Sequence, residues 1–173
     1  MFDINDVVVY SSFGVCRIVD ISVKDFCGSP ARYYVLEPVF DDRCTYFVDV
    51  ANQLAISRLH PVLAPAAARE LIASLPKIEE QWDDNPKERK ALFSRIVSGG
   101  DRLELIGLIK ALRSYERSQR AAGKKLNMSD EQSLRLAEKL IRQELAVSLD
   151  LPPEQVEPYI CGVLQRQAAQ DPA

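Results

Sequence analysis

Along roughly the first sixty residues, apolar and polar positions alternate in short runs rich in β-branched and aromatic side chains. Val7 to Tyr10, Gly14 to Val23, Arg32 to Pro38 and Thr45 to Val48 read as strands, and a short last strand is expected near Leu54 to Leu59. Ser11-Ser12, Cys27-Gly28-Ser29-Pro30 and Asp41-Asp42 supply turns between them. Several short strands in so small a segment predict a strongly bent antiparallel barrel of SH3 or Tudor type.

From Pro65 the hydrophobic period becomes helical. Pro65 to Leu75 reads as a first helix stopped by Pro76, and Lys77 to Asp84 as an acidic, unpatterned connection carrying the single tryptophan, Trp82. Asn85, with Pro86 at the first helical position and Glu88 completing a capping box, predicts a helix to about Ser98, ended by Gly99-Gly100. Asp101 with Glu104 repeats the signal for a helix reaching Ala122-Gly123. Ser129 is expected to cap a helix over Asp130 to Leu149, with Leu134, Ala137, Ile141 and Leu145 as its apolar seam. Pro152-Pro153 opens a last helix through about Arg166, with Pro158 expected to disturb its first turns, and Gln167 to Ala173 reads as a frayed tail. The expected fold class is α+β in two domains: a small N-terminal antiparallel β barrel over residues 1–62 and an all-helical domain over 65–167.

Within the helical half, Asp101 to Lys125 sorts its residues by face. Leu105, Leu108, Ile109, Leu112 and Tyr115 form a core-facing stripe, while Lys110, Arg113, Arg117, Arg120 and Lys124 recur on another face. Lys110 to Lys125 holds six basic residues and one acid, Glu116. With so few local partners for i,i+4 pairing, the row suits phosphates, although a solvated helix face is the commoner origin of such a pattern.

Composition narrows the chemistry. A chain of 173 residues that is 47% hydrophobic can bury a core, but its net charge of −3 argues against an autonomous nucleic-acid binder. The basic character is local: residues 77–125 carry twelve basic and eight acidic side chains, while both flanking regions are acidic. No apolar run suits a membrane span and the N-terminus lacks a secretory pattern, so a soluble cytoplasmic protein is expected. Cys16, Cys27, Cys44 and Cys161 form no Cys-x-x-Cys pair and His60 precedes a proline, so reduced structural cysteines are expected and no metal site. No phosphate loop, paired-carboxylate motif or nucleophile elbow is present, which points away from an enzyme and from any cofactor. Tyr10, Phe13, Tyr33, Tyr34, Tyr46 and Phe47 are numerous enough for an aromatic cage around a methylated lysine; core or interface packing is the other use of such residues.

Asp6-Val7-Val8-Val9-Tyr10, Phe13-Gly14-Val15-Cys16-Arg17-Ile18 and Tyr33-Tyr34-Val35-Leu36-Glu37 resemble the opening of the CarD/CdnL family, whose N-terminal module is shared with transcription-repair coupling factor. Ser98-Gly99-Gly100-Asp101-Arg102 with Leu105-Ile106, Gly123-Lys124-Lys125-Leu126 with Asp130-Glu131, and Ala137-Glu138-Lys139-Leu140 with Glu144-Leu145 resemble the helical domain of the same family. The resemblance runs from about Phe2 to Val163. It implies a bacterial transcription regulator without a small ligand, whose N-terminal module binds the RNA polymerase β subunit edge to edge. Its helical domain would contact promoter DNA at the upstream edge of the −10 element and modulate open-complex stability.

Carried onto this chain, the resemblance places polymerase binding on Lys24, Val35, Thr45, Tyr46, Phe47 and Val48. Phe47 stands where some relatives have arginine, and Asp49 where a proline is common. The expected DNA-binding set is Trp82, Arg89, Lys90, Arg113, Arg117, Arg120, Lys124 and Lys125. Trp82 is the candidate for the minor-groove wedge of several relatives but lies farther from Ser98-Gly99 than in some of them, and a core anchor packed against the helices is its other reading. A monomer with no membrane contact is expected. The alternative is a free-standing interaction module with a peptide-binding Tudor-like barrel and a helical dimerisation domain.

Overall fold

The computed structural model describes residues 1–26, 28–41 and 44–170. Cys27 and Asp42 of the expected turns, and the last three residues of the expected tail, lie outside them. The chain divides into two compact units, Met1–Val62 and a second beginning at Leu63.

The first unit is a five-stranded antiparallel sheet: β1 (Val7–Tyr10), β2 (Gly14–Asp25), β3 (Pro30–Pro38), β4 (Tyr46–Asp49) and β5 (Leu59–Pro61). Its spatial order is β4-β3-β2-β1-β5. β2 and β3 form a long hairpin with a register shift between Ile18 and Asp20. A bulge of this kind bends a strand and adds twist. The bending lets Val48 of β4 and Leu59 of β5, from opposite edges of the sheet, share one buried cluster with Val8, Cys16, Ile18 and Leu36. The sheet therefore curls over a single core, and among the described residues no ladder joins β4 to β5.

The strand expected over Leu54 to Leu59 is replaced by a short helix, α1 (Gln53–Ile56), followed by β5. The Asn52 side chain accepts from the Ala55 N–H at 3.1 Å and so provides the N-cap. Thr45 precedes β4 rather than belonging to it.

The second unit holds α2 (Pro65–Ser74), α3 (Pro86–Gly99), α4 (Arg102–Ala121), α5 (Met128–Leu149) and α6 (Pro153–Gln170). Asn85 and Asp101 cap α3 and α4 as their sequence signals require, and Gly100, at φ 72°, ends α3 in the left-handed conformation. The α5 cap is Asn127, whose side chain accepts from Asp130 N–H; Ser129 already lies inside the helix. Pro158 sits within a continuous α6 rather than interrupting it.

α5 contributes to two buried clusters. Its Leu134, Ala137 and Leu140 pack with Phe93, Ile96, Leu108 and Leu112 of α3 and α4. Its Leu145 and Ala146 pack with Ala68 and Ile72 of α2 and Val156 of α6. Between these clusters, the nearly buried Glu144 carboxylate accepts from Arg102 Nε at 2.9 Å and from the Leu63 N–H at 3.1 Å.

Candidate functional site

At one edge of the sheet, β4 pairs with β3 through Tyr33↔Asp49, Tyr34↔Val48, Val35↔Phe47 and Leu36↔Tyr46. The Val50 N–H donates to the Arg32 carbonyl at 2.9 Å, one step further along the same register. Antiparallel pairs alternate between hydrogen-bonded and non-bonded. Val48 and Tyr46 therefore turn their main chain towards β3, and Phe47 turns its N–H and C=O outward. Phe47 thus offers both main-chain groups to an added strand. The opposite edge, β5, is three residues long and ends in Pro61, which lacks the donor that a further ladder needs.

The expected edge residues separate by environment. Val48 is 1% exposed and belongs to the core, and Val35 is buried beside Phe47. Thr45 is exposed, and Lys24 is exposed near the tip of the β2–β3 hairpin, across from Ala31. Tyr46 is half-buried; burial, followed by the nearby thiols of Cys44 and Cys16, raises its phenol pKa.

The six aromatics considered for a cage are dispersed. Tyr10 and Phe13 stack, Tyr46 meets Tyr10 edge to face and Phe13 at a tilt, and Tyr34 meets Phe2. Tyr33 and Phe47 both contact Phe26, at centroid distances of 5.2 and 5.0 Å. Phe26 and Phe47 are 55% and 42% exposed. Phe26 does not stand out in the sequence, because it follows the alternating run and carries no periodic signal.

In the helical unit the basic row of α4 is partly neutralised. Arg113 donates to Glu116 at 2.9 Å and to Glu138 at 2.7 Å, and Arg120 reaches Glu116 at 3.0 Å. Burial opposes the charge of Arg113, but the two glutamates outweigh it and raise the guanidinium pKa. The Lys110 ammonium donates to the carbonyls of Leu75, Pro76 and Ile78, holding the turn after α2. Arg117, Lys124 and Lys125 are exposed and form no ion pair among the described residues. With Arg120, they make the C-terminal end of α4 and its following loop cationic.

Trp82 and Arg89 lie elsewhere. The segment after Leu75 leaves Lys110, passes Gly107 and delivers Trp82 to Tyr115, whose ring centroid is 4.7 Å away. The Gln81 N–H donates to the Gly107 carbonyl at 3.1 Å. A Cβ at Gly107 would stand 2.5 Å from the Glu79 carbonyl oxygen, so only glycine fits this crossing without displacement. Arg89 is 6% exposed; it lies over the Trp82 ring at 4.4 Å and pairs with buried Asp130 at 3.3 Å. Its burial removes Arg89 from any exposed cationic face, whereas Lys90, the next residue, is exposed.

Tyr115 and Arg117 are two positions apart and so project to nearly opposite sides of α4. The structure therefore separates the expected DNA-binding residues. Trp82 packs on the Tyr115 side, and the cationic row occupies the other.

The first unit is thus a small curled antiparallel sheet with an edge open to strand addition. Residues 2–59 match the CarD-like/TRCF RID domain, so this part of the chain is similar to that family of RNA polymerase-interacting domains. None of the curated proteins matches the chain. Among the described residues, no helix is long and apolar enough to cross a membrane.

Proposed function

We propose that this chain is a bacterial transcription regulator that adds β4 to the RNA polymerase β subunit and brings the cationic end of α4 against promoter DNA. The outward main chain of Phe47, at an edge inside the family-matched region, carries the proposal. Strand addition supplies affinity through main-chain hydrogen bonds and leaves selectivity to neighbouring side chains. Arg117, Arg120, Lys124 and Lys125 contact phosphates near the upstream edge of the −10 element and modulate open-complex lifetime. Polymerase holds both partners close, so weak contacts act at high effective concentration and the acidic net charge is no obstacle. Trp82 gives this DNA-facing unit its shape by locking the segment before α3 onto α4. The protein works as a cytoplasmic monomer, without catalysing a reaction and without a cofactor. A dimer seam on the arginine row of α4 is disfavoured by its charge.

Calorimetric titration of the full chain into purified RNA polymerase core enzyme tests the proposal, with a β-subunit fragment as the second titrand. Saturable binding to both is expected. Absence of binding to the core enzyme overturns it.

A further inference from the structure

We infer that Phe26 and Phe47 together form the side-chain recognition surface of the β4 edge, and that the strand docking there presents an apolar side chain to them. This rests on the polymerase-binding role of β4 proposed above and specifies the chemistry of its partner.

Single exposed apolar side chains are ordinary on a protein surface. These two are contiguous: their rings meet edge to face at 5.0 Å, and Phe26 also touches Tyr33 at 5.2 Å. Both remain about half exposed beside an edge strand. Edge strands are commonly protected by lysine, proline or a bulge, but the middle of β4 carries Phe47. Phe47 is also directly across from Val35, so their side chains share one face of the sheet, next to Tyr33 at the following position on that face.

A strand added outside β4 places one residue opposite Phe47 in a hydrogen-bonded pair, with its side chain on this same face. There it meets Phe47, with Phe26 and Val35 alongside. None of these side chains can form an ion pair with a carboxylate, so an acidic residue would lose water without gaining a partner. An apolar side chain instead buries itself and the exposed parts of both rings.

The test measures affinity of the full chain for purified RNA polymerase core enzyme at low and high salt, comparing wild type with Phe26→Ala, Phe47→Leu, Phe47→Arg and Phe47→Pro. Unchanged far-ultraviolet circular dichroism with a cooperative thermal transition establishes that the variants are folded. Phe26→Ala is expected to weaken binding by about tenfold, as loss of a buried aromatic anchor does. Phe47→Leu should stay within about threefold of wild type, because it retains apolar bulk. Phe47→Arg should weaken binding, and wild-type affinity should vary little with salt. Undiminished binding by Phe26→Ala, or equal or tighter binding by Phe47→Arg, overturns the inference. If Phe47→Pro still weakens binding in either case, β4 remains the docking edge and only its proposed side-chain chemistry fails. If Phe47→Pro also binds normally, the edge proposal fails with it.

Discussion

The guanidinium of Arg89 lies over the indole of Trp82, 4.4 Å from the ring centroid, and pairs with Asp130 at 3.3 Å. One side chain thereby joins the segment before α3 to the first turn of α5. Arg89→Ala leaves the buried Asp130 carboxylate without its cation, although Asn127 Nδ2 still donates to it at 2.7 Å. Removing one member of a buried pair costs about 3 kcal/mol. Chemical denaturation of the full chain should show that loss in the helical transition, accompanied by a change in tryptophan fluorescence.

Gly107→Ala offers a test of the crossing on α4. Alanine is the better helix former by about 1 kcal/mol, yet its methyl group would meet the Glu79 carbonyl oxygen at 2.5 Å. Overpacking of this kind costs about 1 to 3 kcal/mol. The variant should therefore have a lower melting temperature than wild type despite its improved helix propensity. An increase would show that the Trp82 segment adapts freely.

Cys16 is fully buried, and burial pushes its thiol pKa up to about 12 from 9.0. The folded state therefore keeps this proton when the unfolded state has lost it. The associated stability is complete below pH 9 and declines as pH rises from 9 towards 12. Native alkylation at pH 8 to 9 should spare Cys16 and modify exposed Cys44 and Cys161. Peptide mapping by mass spectrometry checks the pattern, and denaturant should abolish Cys16 protection.

β1, β2 and β3 were legible because their alternation and β-branched residues agree with the pleat of a sheet. The segment after Asn52 was less so: Gln53–Ile56 is too short to show a helical period, and only the Asn52 cap distinguishes it. At α5 the expected cap, Ser129, lies inside the helix, and Asn127 caps it instead, accepting from the Asp130 N–H and donating to its carboxylate. The basic row illustrates a stronger limit. Local spacing exposed the single acid Glu116, but Glu138, 25 residues from Arg113, and Asp130, 41 from Arg89, become partners only through helix packing. Likewise, the register of β3 and β4 decides that Phe47, rather than Val48, has the outward main chain.

For DNA, Arg117 and Lys124 should behave unlike Arg113. Removing one phosphate-binding cation from a protein–DNA interface lowers the salt slope by roughly 1. The double change Arg117→Ala with Lys124→Ala should shorten open-complex lifetime about equally across promoters and flatten its salt dependence by roughly 2. Arg113→Ala should leave that slope nearly unchanged, because its charge is taken up by Glu116 and Glu138. Lifetimes measured with purified polymerase at several salt concentrations decide between them. An unaltered slope for the double variant would mark the end of α4 as a solvated surface.

The polymerase affinity of Phe47→Pro relative to Phe47→Val tests the central claim most directly. Both variants lose the aromatic ring, but only proline removes the N–H that faces outward from β4. Proline is tolerated on edge strands when its missing donor would face outward, so the fold should survive. Val48→Pro instead removes a donor directed towards β3 and should destabilise the sheet. The account predicts that folded Phe47→Pro binds RNA polymerase core enzyme more weakly than Phe47→Val by about 1 kcal/mol or more, corresponding to the missing hydrogen bond. Equal affinity of the two folded variants would contradict docking through this edge.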